Sequence, residues 1–363
     1  MKVAIVVKRH AADGGTGRAS VALARGLLQR GHEVHVVCMA CNDPIGSPPG
    51  ARIRRLWVPR VGSAVSMLAF ASLARRVVRR IAPDVSLGLS RVPGLDVYRA
   101  GGGCHRAYLD TLPGWRVSVR HRVELALDRA CVRSARAVVA NAPAPARQLA
   151  DRYGVDPARV RVVPNGVDAR RFRPDPEARR DLRRDLGVPD EAIVALFLGD
   201  GFRRKGLATA LEVAARMPGR VLWVAGGDRT GHWRRRARQL GVEARFLGHR
   251  RDPERLLAAA DALLLPTRYD AASNVVLEAM AAGTPPITSR SDGASAFLPE
   301  PWMAVGDPTD ARGFAEALER ALRTPHLGDR CRAVAEAMPW STAVEAVETL
   351  LQEVARGRRN RTP

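Results

Sequence analysis

Lysine is almost missing from this chain: of its 59 basic residues only Lys2, Lys8 and Lys205 are lysines, and the rest are arginine. Set against 37 acidic residues, this leaves a formal net charge of +22. Arginine in place of lysine, beside abundant alanine, glycine and proline, is what a GC-rich genome produces, so part of the charge is compositional drift. A field of that size still favours anionic partners, whether membrane surface, phosphorylated glycolipid or nucleic acid. Aromatic residues are scarce at 5%, which leaves little surface for stacking bases, and no recognised nucleic-acid-binding module is present. No apolar run reaches the roughly 20 residues of a membrane span. The five cysteines are scattered and odd in number. Cys38 and Cys41 form a C-x-x-C, but the second half of a zinc site is missing. The opening MKVAIVVKRH is a short apolar run broken by Lys8 and Arg9, without a small-residue cleavage site, and reads as a first strand rather than a signal peptide. The chain is cytoplasmic in character.

What is present is globular. With 363 residues, 46% hydrophobic and 26% charged, the chain is too long for one ordinary core and suggests two domains. Lys2 to Val7 predicts a buried strand, followed by the turn Asp13-Gly14-Gly15-Thr16-Gly17-Arg18 and a helix from about Ala19 to Arg30. Such a glycine-rich turn lets backbone N–H groups approach a phosphate, yet the full G-x-G-x-x-G of a dinucleotide site is missing. No acid occurs between Asp43 and Asp84, an interval holding Arg52, Arg54, Arg55, Arg60, Arg75, Arg76, Arg79 and Arg80. Within it Val65 to Ile81 has helical periodicity, with Leu68, Leu73, Val77 and Ile81 among its apolar positions. A basic amphipathic helix of this kind packs on a sheet or lies on an anionic membrane. His105 follows Gly101-Gly102-Gly103, as a side chain presented by a loop built for close approach. Tyr108 to Arg136, with Trp115 and several arginines, reads as a second interfacial helix.

The run Val162-Val163-Pro164-Asn165-Gly166-Val167-Asp168 is a strand closing on a Pro-Asn-Gly turn, and 169–190 reads as a linker with one short helix. Ala192 to Leu198 is a strand ending in Gly199-Asp200-Gly201-Phe202-Arg203-Arg204-Lys205-Gly206. A cationic pair in a loop between strand and helix suits a diphosphate, with Arg204 as a planar fork and Lys205 as a mobile point charge. Composition did not place Lys205 in so arginine-rich a chain. Gly227 tops the strand Val221–Val224, and His249 and Arg250 follow Gly248. Then YDAASNVVLEAMAAG, residues 269–283, puts Asp270 in the loop after the strand Ala262–Leu265 and Glu278 about one turn into a helix N-capped by Ser273 or Asn274. In an open parallel sheet, ligands bind in that crevice. Two carboxylates there suit hydroxyl-rich ligands, since an ionised carboxylate only accepts hydrogen bonds. Helices are predicted over Asp310–Arg323, Asp329–Ala337 and Thr342–Val354, with a disordered tail from Ala355.

Asp270-x7-Glu278 followed by Ala-Met-Ala-Ala-Gly-Thr-Pro resembles the Glu-x7-Glu element of retaining glycosyltransferases of family 4, the glycogen-synthase-like group. The flavour is that of the lipopolysaccharide core glucosyltransferases. Gly14-Gly15, the V-x-P-N-G-V-D phrase with Phe172, and Trp340-Ser341 before a last helix fall in the order this family has them. The resemblance implies an α/β chain of the GT-B type, two doubly wound Rossmann-like domains facing across a cleft. It places an acceptor domain at 1–172, a donor domain at 173–340 and a helix 341–356 packing back on the first. It implies transfer of a hexose from a UDP- or GDP-sugar to a hydroxyl of a cell-envelope glycolipid or lipopolysaccharide core, with retention, no metal and no other cofactor. Among site residues it implies Gly14 and Gly15 beside the diphosphate, His105 facing the sugar, and Arg204 and Lys205 on the diphosphate. It further implies Gly227, His249 and Arg250 around the base, Asp270 on sugar hydroxyls, Ala271, Ser273, Asn274 and Val275 lining the donor, and Glu278 on the ribose. Two departures stand out: Asp270 is one methylene shorter than the usual Glu, and Asp200 stands where an arginine is often found, with Arg203 nearby. The enzyme implied is cytoplasmic and peripheral on the inner face of the membrane, held by its basic N-terminal half, with no specific nucleic-acid partner. The alternatives are a catalytically inactive scaffold of the same fold and a basic nucleic-acid-binding protein.

Overall fold

The computed structural model describes residues 1–11, 14–41, 48–59, 62–112 and 118–359. Asp13, Asp43, Arg60 and Trp115, named above, lie outside them. The chain forms two compact units, Met1–Asn165 with Trp340–Pro363, and Gly166–Pro339.

The first unit holds β1 (Lys2–Val6), β2 (Arg9–His10), β3 (Glu33–Cys38), β4 (Ala40–Cys41), β5 (Arg52–Arg55), β6 (Val85–Gly88), β7 (Val97–Arg99), β8 (Ala137–Ala140) and β9 (Val160–Val162). Seven of these make one parallel sheet in the order β5-β3-β1-β6-β7-β8-β9, while β2 and β4 form a separate parallel pair. The central strands read as near-continuous apolar runs because helices cover both faces. On one face the helix Gly15–Gln29 meets Trp340–Arg359: Leu23, Ala24 and Leu27 share a core with Val344, Val347 and Leu351. Glu348 of the last helix pairs with Arg30 and with His32. The disordered tail expected over Ala355–Pro363 is therefore corrected for 355–359, while 360–363 lie outside the described residues. The apolar stripe continues through Leu350, Leu351 and Ala355, so the helix runs to Arg359.

On the other face lies the helix Ser63–Ile81, whose buried residues are Phe70, Ala71, Ala74 and Val78. Of the apolar positions read from the sequence, Leu73, Val77 and Ile81 only flank this stripe, and Leu68 is 50% exposed. The predicted helix Tyr108–Arg136 is two helices, His105–Asp110 and Val119–Ser134.

The second unit holds β10 (Val194–Leu198), β11 (Val221–Ala225), β12 (Ala244–Gly248), β13 (Ala262–Leu265), β14 (Pro286–Ser289) and β15 (Ala304–Val305), in the order β12-β11-β10-β13-β14-β15. All pairs are parallel. From β10 the chain winds outward through β11 and β12, then returns to the opposite side of β10 as β13. That reversal opens a crevice at the carboxyl ends of β10 and β13.

The stretch 169–190, expected as a linker, is anchored to this unit. Its helix Pro176–Asp185 carries Arg183, fully buried, which donates to the Ala259, Pro189, Asp190 and Ala192 carbonyls and to the Asp261 carboxylate at 2.8–3.2 Å.

Candidate functional site

The loops after β10 and β13 meet backbone to backbone. Gly201 and Gly206, both left-handed at φ 78° and 83°, bracket the single helical turn Phe202–Lys205. A Cβ on Gly206 would overlap the Pro266 carbonyl oxygen and sit 2.7 Å from its carbon, so only glycine permits the approach. Phe202 is fully buried beneath the turn, and its N–H and that of Gly201 donate to the Asp228 carboxylate at 2.7 and 2.9 Å. Asp200, the departure from the family pattern, accepts the Gly227 N–H at 2.7 Å and so ties the β10 loop to the β11 loop. Arg203 points to solvent.

This scaffold converges two cations on one carboxylate. Asp270 Oδ2 accepts from Arg204 Nη1 at 2.6 Å and lies 2.8 Å from Lys205 Nζ. Lys205 also donates to Ser273 Oγ at 2.8 Å, and Arg204 to the Tyr269 carbonyl at 3.0 Å. Ser273 occupies the N-cap position of the helix Asn274–Ala281, yet its side chain does not cap it: the hydroxyl is spent on Lys205. Asp292 takes over the loop instead, accepting the N–H groups of Ser273 and Ala294 at 2.9 and 3.0 Å. Asp292 was not among the site residues read from the sequence; the Asp-Gly following a strand was its only signal. Burial would raise the Asp270 carboxyl, but the charges of Lys205 and Arg204 outweigh it and hold the group at about 2. Burial and the neighbouring Asp270 charge push Asp292 the other way.

A lowered folded value means that Asp270 stabilises the unit above the ordinary carboxylate range near 4, and that this contribution fades as pH falls towards 2. The expected magnitude is about 2 kcal/mol. Melting curves of wild type and Asp270→Asn check it: the variant melts several degrees lower at pH 5, and the gap closes as pH approaches 2. A gap that widens on acidification contradicts the ion triad.

Glu278 is buried at 6% exposure on the same helix, Ala271 is buried in the loop before it, and Asn274 and Val275 are half-buried. A Cβ on Gly227 would lie 4.0 Å from His249 Nδ1, so these two are neighbours. His249 is exposed, whereas Arg250 is held by the Asp252 carboxylate through two bonds of 2.8 and 2.6 Å.

In the first unit, Gly14 at φ 66° is the N-cap residue of the helix Gly15–Gln29, whose first residue lies four residues before the Ala19 start read from the sequence. As a glycine it brings no capping side chain of its own. His105 opens the helix His105–Asp110 and is buried at 6% exposure. Its Nε2 lies 2.9 Å from Glu124 Oε2 and 3.2 Å from His121 Nδ1. Its backbone N–H donates to Asp128, a fully buried carboxylate that also accepts from Tyr98, Tyr153 and Arg91 at 2.8–3.1 Å. Burial works against the Glu124 charge, but the His105 hydrogen bond and charge overcome it and bring the carboxyl to about 2. The sequence reading missed Glu124, His121 and Asp128. Their spacing of three and four residues on one helix face was the available signal.

Two doubly wound parallel-sheet units, one with a cationic pair and two acids at its switch point, define a glycosyltransferase of the GT-B class. Residues 13–171 match Glycosyltransferase Family 4 and residues 178–338 match Glycosyl transferases group 1. The chain belongs to this glycosyltransferase family. It is 26% identical over 338 residues to the lipopolysaccharide glucosyltransferase WaaG of Escherichia coli, covering 89% of this chain and 90% of that one. A crystal structure of WaaG superposes with a TM-score of 0.83 at 24% identity, covering 96% of this chain and 99% of that one. A probable transglycosylase of Burkholderia thailandensis is 30% identical over 317 residues, covering 87% and 85% of the two chains. The Anabaena HepE structure in complex with UDP-glucose matches with a TM-score of 0.76 at 18% identity, over 97% of this chain and all of that one. Among the described residues no helix is long and apolar enough to cross a membrane.

Proposed function

We propose that this glycosyltransferase moves a hexose from a UDP- or GDP-sugar to a hydroxyl of a cell-envelope glycolipid or lipopolysaccharide core, with retention. The observation that carries the reading is the convergence of Arg204, Lys205, Asp270 and Ser273 at the switch point of the second unit. Arg204 and Lys205 stabilise the negative charge on the departing diphosphate, the role a metal takes elsewhere. The N–H groups at the start of the helix Asn274–Ala281, with Ala271 and Val275 beside them, add partial positive charge. An incoming diphosphate competes with Asp270 for both cations. It thereby frees the carboxylate to accept from sugar hydroxyls. Glu278 accepts from the ribose hydroxyls, Gly227, His249 and Arg250 border the base, and Gly14, Gly15 and His105 act from the first unit on the phosphate and sugar. Retention follows a front-face course, in which the leaving phosphate receives the acceptor proton. No metal is assigned to this step.

The name and donor complex of the relatives support a glucose donor and a lipopolysaccharide acceptor. For the membrane, Trp57, Val65 and Leu68 are 83%, 55% and 50% exposed in the segment carrying Arg52, Arg54, Arg55, Arg75 and Arg76. Apolar side chains among cations suit an anionic cytoplasmic leaflet.

Thermal-shift measurements against UDP, GDP, ADP and their hexose conjugates, in chelator, test the donor site. A ligand that binds only the folded protein raises its melting temperature. One nucleotide series stabilises the wild type, and Glu278→Gln weakens that ligand by roughly 10- to 100-fold through loss of charged hydrogen bonds. Equal shifts in wild type and Glu278→Gln remove Glu278 from the site.

A further inference from the structure

We propose that His105, His121 and Glu124 form a site for a divalent cation of the zinc class, with three protein ligands and one open position. The ligand atoms stand 2.9 Å apart (His105 Nε2 to Glu124 Oε2), 3.2 Å (His105 Nε2 to His121 Nδ1) and 3.7 Å (His121 Nδ1 to Glu124 Oε2). Zinc bonds of about 2.0–2.1 Å at tetrahedral angles put neighbouring donor atoms about 3.3–3.4 Å apart, and the three separations straddle that value.

Hydrogen bonding alone serves the cluster badly. His105 Nε2 carries at most one proton, which it needs for Glu124, yet His121 Nδ1 faces the same nitrogen. One cation in place of that proton accepts a lone pair from all three groups. The chain supplies the geometry: His121 and Glu124 sit three residues apart on one face of the helix Val119–Ser134, and His105 leads the helix His105–Asp110. Partners outside the cluster fix it. Asp128 holds the His105 main chain at 3.0 Å, and Arg120 Nε lies 3.3 Å from the other Glu124 oxygen. Two imidazoles and one carboxylate favour zinc, cobalt or nickel over magnesium or calcium. The His121 side chain is 24% exposed, which leaves water access for the fourth position.

The ion clamps the two helices together. Because it occupies Nε2, the ion-bound form is one in which His105 cannot offer that nitrogen to a sugar hydroxyl. Diphosphate neutralisation stays with Arg204 and Lys205 in either form, whereas ion binding and the proposed His105 contact with the sugar are alternatives at the same nitrogen.

The test is titration of the chelator-stripped, full-length protein with Zn²⁺ alone by calorimetry, and with Co²⁺ alone by visible absorption. One equivalent binds, cobalt shows the intense bands of a four-coordinate ion, and His121→Ala and Glu124→Gln each weaken binding at least tenfold. His326→Ala, at an exposed histidine of the other unit, leaves it unchanged. Melting curves confirm that the variants are folded. Absence of stoichiometric binding, or binding that survives both ligand substitutions, overturns the proposal.

Discussion

Lys205→Ala lowers turnover by about 10²–10³-fold while the protein remains folded. The ammonium group is the less exposed of the two cations, and its stem runs along Gly199, where a Cβ would lie 3.5 Å from Lys205 Cε. Preorganised charge aimed at a developing anion is worth most in such a partly desolvated place, and loss of one such donor typically costs this much. Folding survives because Arg204 keeps its own bond to Asp270, so no buried carboxylate is left unpaired. The loss falls on kcat more than on donor KM, since charge on the diphosphate grows as the glycosidic bond breaks. Lys205→Arg does not rescue it: the guanidinium needs width that Gly199, Ser273 and Asp270 do not leave, and it presents a planar fork instead of a point charge. Steady-state kinetics of the two variants, with melting curves alongside, decide the matter.

Gly206→Ala unfolds or grossly weakens the Gly166–Pro339 unit. Its backbone is left-handed, which alone costs about 1–2 kcal/mol for any residue with a Cβ. The added carbon also meets the main chain of Pro266, which no rotamer change can move aside. The loops after β10 and β13 must then separate, taking the Arg204–Asp270 pair with them. A loss above about 4 kcal/mol is expected, which lowers the melting temperature by roughly 8–16 °C in a unit of this size. Gly154→Ala is the matched control. It is left-handed too, at φ 63° and ψ 49°, but a Cβ there meets nothing within 4 Å, so its cost stays near the conformational 1–2 kcal/mol. Calorimetry of the two variants separates collision from conformation.

The fold was legible where strands are buried on both faces. Ala262–Leu265 is apolar throughout, and the structure places β13 over those residues. It was illegible where arginine replaces the usual pattern. β5, with sequence RIRR, lacks an apolar stripe because it is an edge strand with one half-buried residue. The helix Gly231–Gln239, GHWRRRARQ, buries only Ala237. Arg183 reads as one more charge in a linker, yet it is fully buried and organises four carbonyls and a carboxylate. At the site, the kinds of residue were legible and their partners were not. Arg204, Lys205 and Asp270 were each identifiable from loop position and charge. That they neutralise one another depends on β10 and β13 being neighbours, which the 63 residues of chain between the two strands conceal. The surroundings of His105 were hidden for the same reason: Glu124 and His121 lie on a different helix.

The most direct test of the central claim is release of nucleoside diphosphate from UDP- and GDP-hexoses in the presence of lipopolysaccharide core, with chelator throughout. One donor is turned over, release depends on the core acceptor, the core gains one hexose by mass spectrometry, and Lys205→Ala suppresses both signals. Failure of every donor, or turnover that Lys205→Ala leaves intact, contradicts the assignment of nucleotide-sugar transfer to the Arg204–Lys205–Asp270 site.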